Sequence, residues 1–168
     1  MNLKVGQGID FHRLDKGRQL WLGGILVPSE AGSVAHSDGD VLLHALCDAL
    51  LGAAGLRDIG FYFPDNDPAF KDIDSKILLG KTFGLIKEKG FSLINADCTV
   101  CLEVPKISSF IPEMKKAIAG ILKTDAENIS IKATTTEKLG FTGRGEGVVA
   151  LAVVLLEKAS PPTSRRGI

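Results

Sequence analysis

The sequence predicts an α/β (α+β layer) fold, a mixed β-sheet with helices on one face, forming a single domain over residues 1–158. Three observations carry that prediction. β-like runs and helix-length apolar repeats are interspersed along the chain, with no linker and no internal repeat. The 168 residues are 45% hydrophobic and 24% charged, enough for one core. The last β-like run, residues 147–156, is apolar on both faces, which suits a central strand or one covered by a second subunit.

Residues 3–9 and 20–27 read as strands of one hairpin, joined through the turn-rich Asp15-Lys16-Gly17. Asp10 and His12 stand at the end of the first. Val41, Leu42, Ala45, Leu46, Ala49, Leu50 and Ala53 then recur at helical spacing until Gly55, and Ser37 three residues before Asp40 makes an imperfect capping box. Gly, Pro, Asn and Asp make residues 57–68 a loop, which also holds the only Tyr, flanked by Phe61 and Phe63. A second helix is predicted over residues 74–89, stopped by Gly90, and a third over 109–123 with Pro112 in its first turn. Strands follow at 91–104, 128–135 and 147–156, and the Ser-, Pro- and Arg-rich tail 159–168 reads as disordered.

Lys plus Arg equal Asp plus Glu at 20 each, so no global field draws the chain to nucleic acid or to an anionic membrane. The longest apolar run falls far short of the roughly 20 residues that span a bilayer, and no signal-peptide stretch opens the chain, so a cytoplasmic location is expected. The three cysteines read as reduced thiols. Cys98 and Cys101 have C-x-x-C spacing, but residues three apart on a strand face opposite sides, so they are expected to act as small hydrophobes.

All three histidines lie beside acids in the first quarter, in Gly8-Ile9-Asp10-Phe11-His12 and in Ala35-His36-Ser37-Asp38-Gly39-Asp40-Val41-Leu42-Leu43-His44. Asp10 and His12, two apart on a strand, project from one face and can share a divalent cation. A D-x-H triplet is also common by chance. On one continuous helix His36 and His44 would lie roughly 12 Å apart, so they cannot then bind the same ion, and one has another job. The second concentration of chemistry is Lys132-Ala133-Thr134-Thr135-Thr136-Glu137-Lys138-Leu139-Gly140-Phe141-Thr142-Gly143-Arg144-Gly145-Glu146-Gly147. It lacks the lysine and hydroxyl that follow the last glycine of a P-loop. Its threonines offer hydroxyls and amides, Glu137 can ligate a hard cation such as magnesium, and Arg144 can fork onto a phosphate. A purely structural glycine-rich turn is the plainer alternative.

Together with Gly8 to His12, Asp58 to Asp67 and Pro105-Lys106, the motifs A-H-S-D-G-D-V-L-L-H-A-L (35–46) and K-A-T-T-T-E-K-L-G-F-T-G-R-G-E-G (132–147) resemble the 2-C-methyl-D-erythritol 2,4-cyclodiphosphate synthase family, over about residues 3–158. The resemblance implies a phosphorus-oxygen lyase of non-mevalonate isoprenoid biosynthesis that cyclises 4-diphosphocytidyl-2-C-methyl-D-erythritol 2-phosphate and releases CMP. It implies a homotrimer, its sheets packed around a threefold axis and its active sites between subunits. It assigns Asp10, His12 and His44 to zinc, or another divalent transition metal, one per subunit, and Glu137 to magnesium or manganese. It makes His36 and Thr135 catalytic through positioning and charge stabilisation, and places His36 and Ser37 on a loop over the substrate, which Asp10 and His12 also face. Asp58 and Gly60 are implied at the ribose, Phe63, Pro64, Asp65, Asn66 and Asp67 at the methylerythritol, and Ile59 as a further substrate contact. Leu102, Pro105, Lys106, Ile107 and Ser108 are implied at the cytosine, and Thr134, Thr135 and Thr136 at the diphosphate, with Ala133, Phe141 and Arg144 as further substrate contacts. Two other readings remain open: a metal-dependent phosphohydrolase using the same three ligands, and a non-enzymatic nucleotide- or prenyl-diphosphate-binding module.

Overall fold

The computed structural model describes residues 2–159. Its elements are β1 (Leu3–Lys16), β2 (Leu20–Leu22), β3 (Ile25–Val27), β4 (Ala31–Val34), α1 (Val41–Ala54), α2 (Ile59–Tyr62), α3 (Ser75–Glu88), β5 (Phe91–Cys101), α4 (Ile111–Leu122), β6 (Ile129–Thr134), α5 (Gly140–Gly143) and β7 (Gly147–Lys158). The five-stranded sheet runs β4-β1-β7-β5-β6. The strand that is apolar on both faces, β7, is therefore central. It pairs antiparallel with β1, from Leu3 opposite Glu157 to Arg13 opposite Gly147, and antiparallel with β5 on its other side. β5 and β6 are parallel, and α4 makes the crossover that a parallel pair requires.

The expected hairpin between residues 3–9 and 20–27 does not form. Residues 20–27 fold back on themselves at Gly23 (φ 60°) and Gly24 (φ 82°), giving the separate pair β2–β3. Two consecutive residues at positive φ are what a tight hairpin turn demands, and glycine supplies them without steric cost. β1 instead continues to Lys16 and pairs with β4, so Asp10 and His12 lie inside a strand rather than at its end. The capping box is also corrected. Asp40 caps α1, accepting from the Leu43 amide at 3.0 Å, and it also accepts from the Gly23 and Gly24 amides at 3.0 and 2.7 Å. One fully buried carboxylate thus joins the β2–β3 turn to the start of α1.

Gly55, in the left-handed conformation, closes α1 as expected. The segment 57–68 is not all loop: Asp58 caps the short α2, and Asp67 caps a 3-10 turn at Pro68–Phe70. α4 begins at Ile111, after a 3-10 turn at Ser108–Phe110. In the predicted tail, the Ala159 amide donates to the Gly90 carbonyl at 2.9 Å, and residues 160–168 lie outside the described residues.

Leu42, Leu43, Leu46 and Leu50 of α1 are completely buried with Leu79, Ile86, Met114 and Ile118 of α3 and α4, forming the layer on one side of the sheet. The other side is open. Leu3, Val5, Ile9 and Phe11 of β1 are 43–69% exposed, and Val153, opposite Gln7 in β7, is 44% exposed. Cys98 is buried and Cys101 half-buried, and all three thiols are free. Burial pushes the Cys47 and Cys98 thiols up to about 12, so they are inert hydrophobes. Among the described residues no helix is long and apolar enough to cross a membrane.

Candidate active site

Three side chains from two elements converge at one end of the sheet. The pleat of β1 turns Gly6, Gly8, Asp10 and His12 toward α1, and the first turns of α1 carry His44 over them. Glycine makes this approach possible. A Cβ on Gly8 would overlap the Ala45 carbonyl oxygen, and one on Gly6 the Ala49 carbonyl oxygen. Asp10 Oδ2 lies 3.2 Å from His12 Nε2 and 3.1 Å from His44 Nδ1, and the two ring nitrogens are 3.1 Å apart. These sides approach the edge of about 3.3 Å expected between ligands of a tetrahedral zinc with bonds of about 2.0–2.1 Å. Two imidazole nitrogens and a carboxylate oxygen aimed at one point form a possible divalent-metal site.

The electrostatics suit a cation. Burial pushes the Asp10 carboxyl up, but the His44 hydrogen bond and the charges of His12 and His44 outweigh it and hold it below its ordinary value. Burial, reinforced by repulsion from His44, pulls His12 below its ordinary value despite the attraction of Asp10. Burial acts the same way on His44, but the Asp10 hydrogen bond and charge prevail and raise it. An ionised Asp10 and a neutral His12 are the forms that bind metal, and at His44 a metal competes with a proton on Nδ1.

A cavity of ≈ 430 Å³ opens beside the triad, and His36, Ser37, Ile59, Gly60, Phe63 and Asp65 reach it. Nε2 of His36 is buried without a hydrogen-bond partner among the described residues. Asp58, Pro64, Asn66 and Asp67 do not line this cavity; Asp58 and Asp67 are committed as caps, accepting from the Phe61 and Ala69 amides at 3.0 and 2.9 Å. A second cavity of ≈ 330 Å³ gathers Leu102, Pro105, Lys106, Ile107 and Ser108 with Ala133, Thr134 and Thr135.

Beside that second cavity the chain turns tightly, with Glu137 and Lys138 at φ 53° and 65°, a conformation that costs non-glycine residues energy. Thr135 Oγ1 donates to Glu137 Oε1 at 2.8 Å, so hydroxyl and carboxylate act as one unit. The Thr136 hydroxyl donates to the Leu139 carbonyl at 2.7 Å and faces the turn itself. Arg144 does not present a free fork, because Nε and Nη2 donate to both carboxylate oxygens of Glu146 at 2.8 and 2.9 Å. Phe141 packs against Phe11, ring centroids 6.2 Å apart, and lines neither cavity.

The two cavities share no lining residue. Asp10, Ala150, Val100 and Ala133 are register partners in a line across β1, β7, β5 and β6. Three strand spacings of about 4.8 Å therefore separate the metal triad from the threonine segment by about 14 Å within one chain.

Sequence reading misses three supporting residues. Ser75 Oγ lies 2.9 Å from His44 Nε2, Asp48 accepts from the Ile59 amide at 2.7 Å, and buried Glu103 accepts from the Thr136 and Lys138 amides at 3.1 and 3.2 Å. Only the aspartate-serine pair at the start of α3 carries a local signal, and it reads as a helix cap.

The chain is similar in sequence and fold to known proteins. A 2-C-methyl-D-erythritol 2,4-cyclodiphosphate synthase from Bacteroides fragilis is 58% identical over 158 residues, 94% of this chain and 99% of that protein. One from Geobacillus kaustophilus is 53% identical over 156 residues, 93% of this chain and 99% of that protein. Among solved structures, the bifunctional IspDF from Campylobacter jejuni matches with a TM-score of 0.91 and 45% identity, covering 95% of this chain and 43% of its own. A structure of 2C-methyl-D-erythritol-2,4-cyclodiphosphate synthase matches at 0.85 and 40% identity, covering 92% of this chain and all 100% of its own. The profile described as the YgbB family matches residues 3–157, the span that holds both cavities and the triad, and the chain belongs to that family of cyclodiphosphate synthases.

Proposed function

We infer that the chain converts 4-diphosphocytidyl-2-C-methyl-D-erythritol 2-phosphate to 2-C-methyl-D-erythritol 2,4-cyclodiphosphate and CMP. The observation that carries this reading is the Asp10–His12–His44 triangle opening onto the His36 cavity, in a chain 58% identical to a protein named for that reaction.

The 2-phosphate attacks the β-phosphorus of the same molecule, and CMP departs with the bond that breaks. Bound zinc at the triad and magnesium at Glu137 would supply Lewis-acid neutralisation of the diphosphate. A single carboxylate beside substrate phosphates fits the way magnesium is commonly held, and the exposed Glu137 offers one. The attacking phosphate is already ionised, so no general base is required. His36, which lines the cavity and whose buried Nε2 has no hydrogen-bond partner among the described residues, is suited to hold phosphate charge, and Thr135 would reach a phosphate by turning its hydroxyl from Glu137. Ser37, Ile59, Gly60, Phe63 and Asp65 would seat the methylerythritol and ribose side, while Leu102 to Ser108 and Ala133 would seat the cytosine. Fixing both ends of a flexible substrate supplies up to roughly 7–11 kcal/mol of the barrier, the range for well-oriented intramolecular reactions.

A homotrimer with sites between subunits completes this reading. The separation of about 14 Å within a chain is too long for one diphosphate to touch both the triad and the threonines, so a neighbour would bring the second half. The open apolar face of β1 and β7 is the surface such an assembly would cover.

The test is turnover of the cytidylyl substrate by the full chain with zinc and magnesium, followed by phosphorus NMR. CMP together with a cyclic diphosphate is expected. CMP or phosphate with a linear product identifies a phosphohydrolase, and binding without turnover identifies a nucleotide-binding module.

A further inference from the structure

Both ring nitrogens of His44 are engaged. Nδ1 faces Asp10 and His12, while Nε2 lies 2.9 Å from Ser75 Oγ and 3.2 Å from Ser37 Oγ. Ser75 is completely buried, and its hydroxyl donates its one proton to Asp38 Oδ1. With that proton committed, Ser75 Oγ can only accept from His44. Nε2 then carries the hydrogen and Nδ1 presents its lone pair to the point shared with Asp10 and His12.

The same aspartate belongs to the loop that carries His36. Asp38 Oδ2 accepts from the Ser75 amide at 3.0 Å, the Asp38 amide donates to the Ile73 carbonyl at 3.1 Å, and the Asp72 amide donates to the His36 carbonyl at 2.7 Å. The His36 loop is thus strapped to the segment entering α3, and the strap ends on the serine that orients His44.

We propose that Ser75 is a positioning residue that couples metal binding at His44 to the seat of the His36 loop, through one hydrogen-bond chain from His44 to Ser75 to Asp38. This rests on the metal reading of the triad, and its readouts do not depend on turnover. A loaded triad fixes His44, His44 holds Ser75, and Ser75 holds the loop. A loop that lifts Asp38 away frees the Ser75 proton to turn toward Nε2, which favours the tautomer that cannot ligate.

The test uses the full chain, Ser75→Ala and Asp38→Asn, with zinc affinity measured by chelator competition and amide exchange measured with and without zinc. Zinc is expected to slow exchange of residues 36–39 in the parent. Ser75→Ala is expected to bind zinc about 10–100-fold more weakly, the range for lost support of a metal-bound histidine, and to lose the effect of zinc on that loop, while β7 amides stay protected. Asp38→Asn places an amide donor opposite either the Ser75 amide or its hydroxyl, so it should weaken zinc binding without changing side-chain volume. Nitrogen NMR of His44 should show the Nε2–H form in the zinc-loaded parent. Zinc affinity within about twofold of the parent in Asp38→Asn, or zinc slowing the loop as strongly in Ser75→Ala as in the parent, overturns the coupling. If Ser75→Ala does not fold, Asp38→Asn alone decides by the same two readouts.

Discussion

Gly8 lies directly beneath Ala45, so close that a Cβ on Gly8 would overlap the Ala45 carbonyl oxygen and come within 2.8 Å of the Ala49 amide nitrogen. Ala45 follows His44, and Gly8 is two residues before Asp10, so this contact sets the spacing of the triad. Gly8→Ala should push α1 outward, lowering stability by about 1–3 kcal/mol or more, as overpacking does, and weakening zinc binding beyond what the lost stability explains. Gly52→Ala, whose Cβ would meet only the Gln7 carbonyl at 3.9 Å, is the control on α1, the helix that Gly8 faces. It should raise stability by about 0.5–1 kcal/mol and leave zinc binding unchanged. Thermal melts with zinc titrations check both.

Glu103 supports the turn that presents Glu137. Its carboxylate accepts from the amides of Thr136 and Lys138, on either side of Glu137, and pairs with Lys138 Nζ at 3.0 Å. The Lys138 hydrogen bond, opposed by burial and aided by the two amides, holds the Glu103 carboxyl below its ordinary value. A lowered carboxyl contributes stability that is complete above the unfolded value of about 4.3 and is lost as pH falls through the folded one. Amide exchange at residues 135–138 should therefore stay slow at neutral pH and rise under acid before the β7 amides open. Glu103→Ala should show the fast exchange already at pH 7 and raise KM for the cytidylyl substrate more than it lowers kcat.

What the sequence makes legible follows the range of the interactions. Strand alternation puts Asp10 and His12 on one side, and helical spacing separates His36 from His44, because both periodicities are local. The pairing of β1 with β7 joins Leu3 to Glu157, and no local signal encodes so distant a partner. β2 and β3 have three residues each, too few for alternation to stand out, so the Gly23-Gly24 turn between them is lost inside one apparent strand. Ser75 reaches His44 across 31 residues and Asp38 across 37, and a serine at a helix start looks like any cap. Arg144 shows the converse: its attraction to a phosphate is evident in sequence, while its pairing with Glu146, two residues on, is a local contact that the same sequence leaves unannounced.

The open face of the sheet predicts the assembly. Val153 is 44% exposed at the centre of β7, beside Asp97 of β5 and Gln7 of β1. Val153→Asp leaves the buried core untouched but places a charge where a neighbour would pack, a change expected to cost association far more than folding. Light scattering should show the parent as a trimer and the variant as a monomer. Because all three triad residues come from one chain, the monomer should still bind zinc while CMP release falls below detection. A monomeric variant with parental turnover would show that one chain holds the whole site.

His44 and His36 should separate metal binding from turnover. His44→Ala removes one of three ligands, leaving Asp10 and His12 as a weak pair, so zinc should be lost to a chelator and CMP release should disappear with it. His36→Ala removes a ring whose Nε2 has no hydrogen-bond partner among the described residues, so no bond from that atom is broken and the fold should hold. If His36 stabilises phosphate charge in the transition state, kcat should fall by about 10²–10³-fold while zinc affinity stays close to that of the parent. Rapid-quench measurement of CMP with metal analysis of the same samples distinguishes the two. Equal loss of zinc in both variants would place His36 among the groups that hold the metal and move the catalytic charge elsewhere in the cavity.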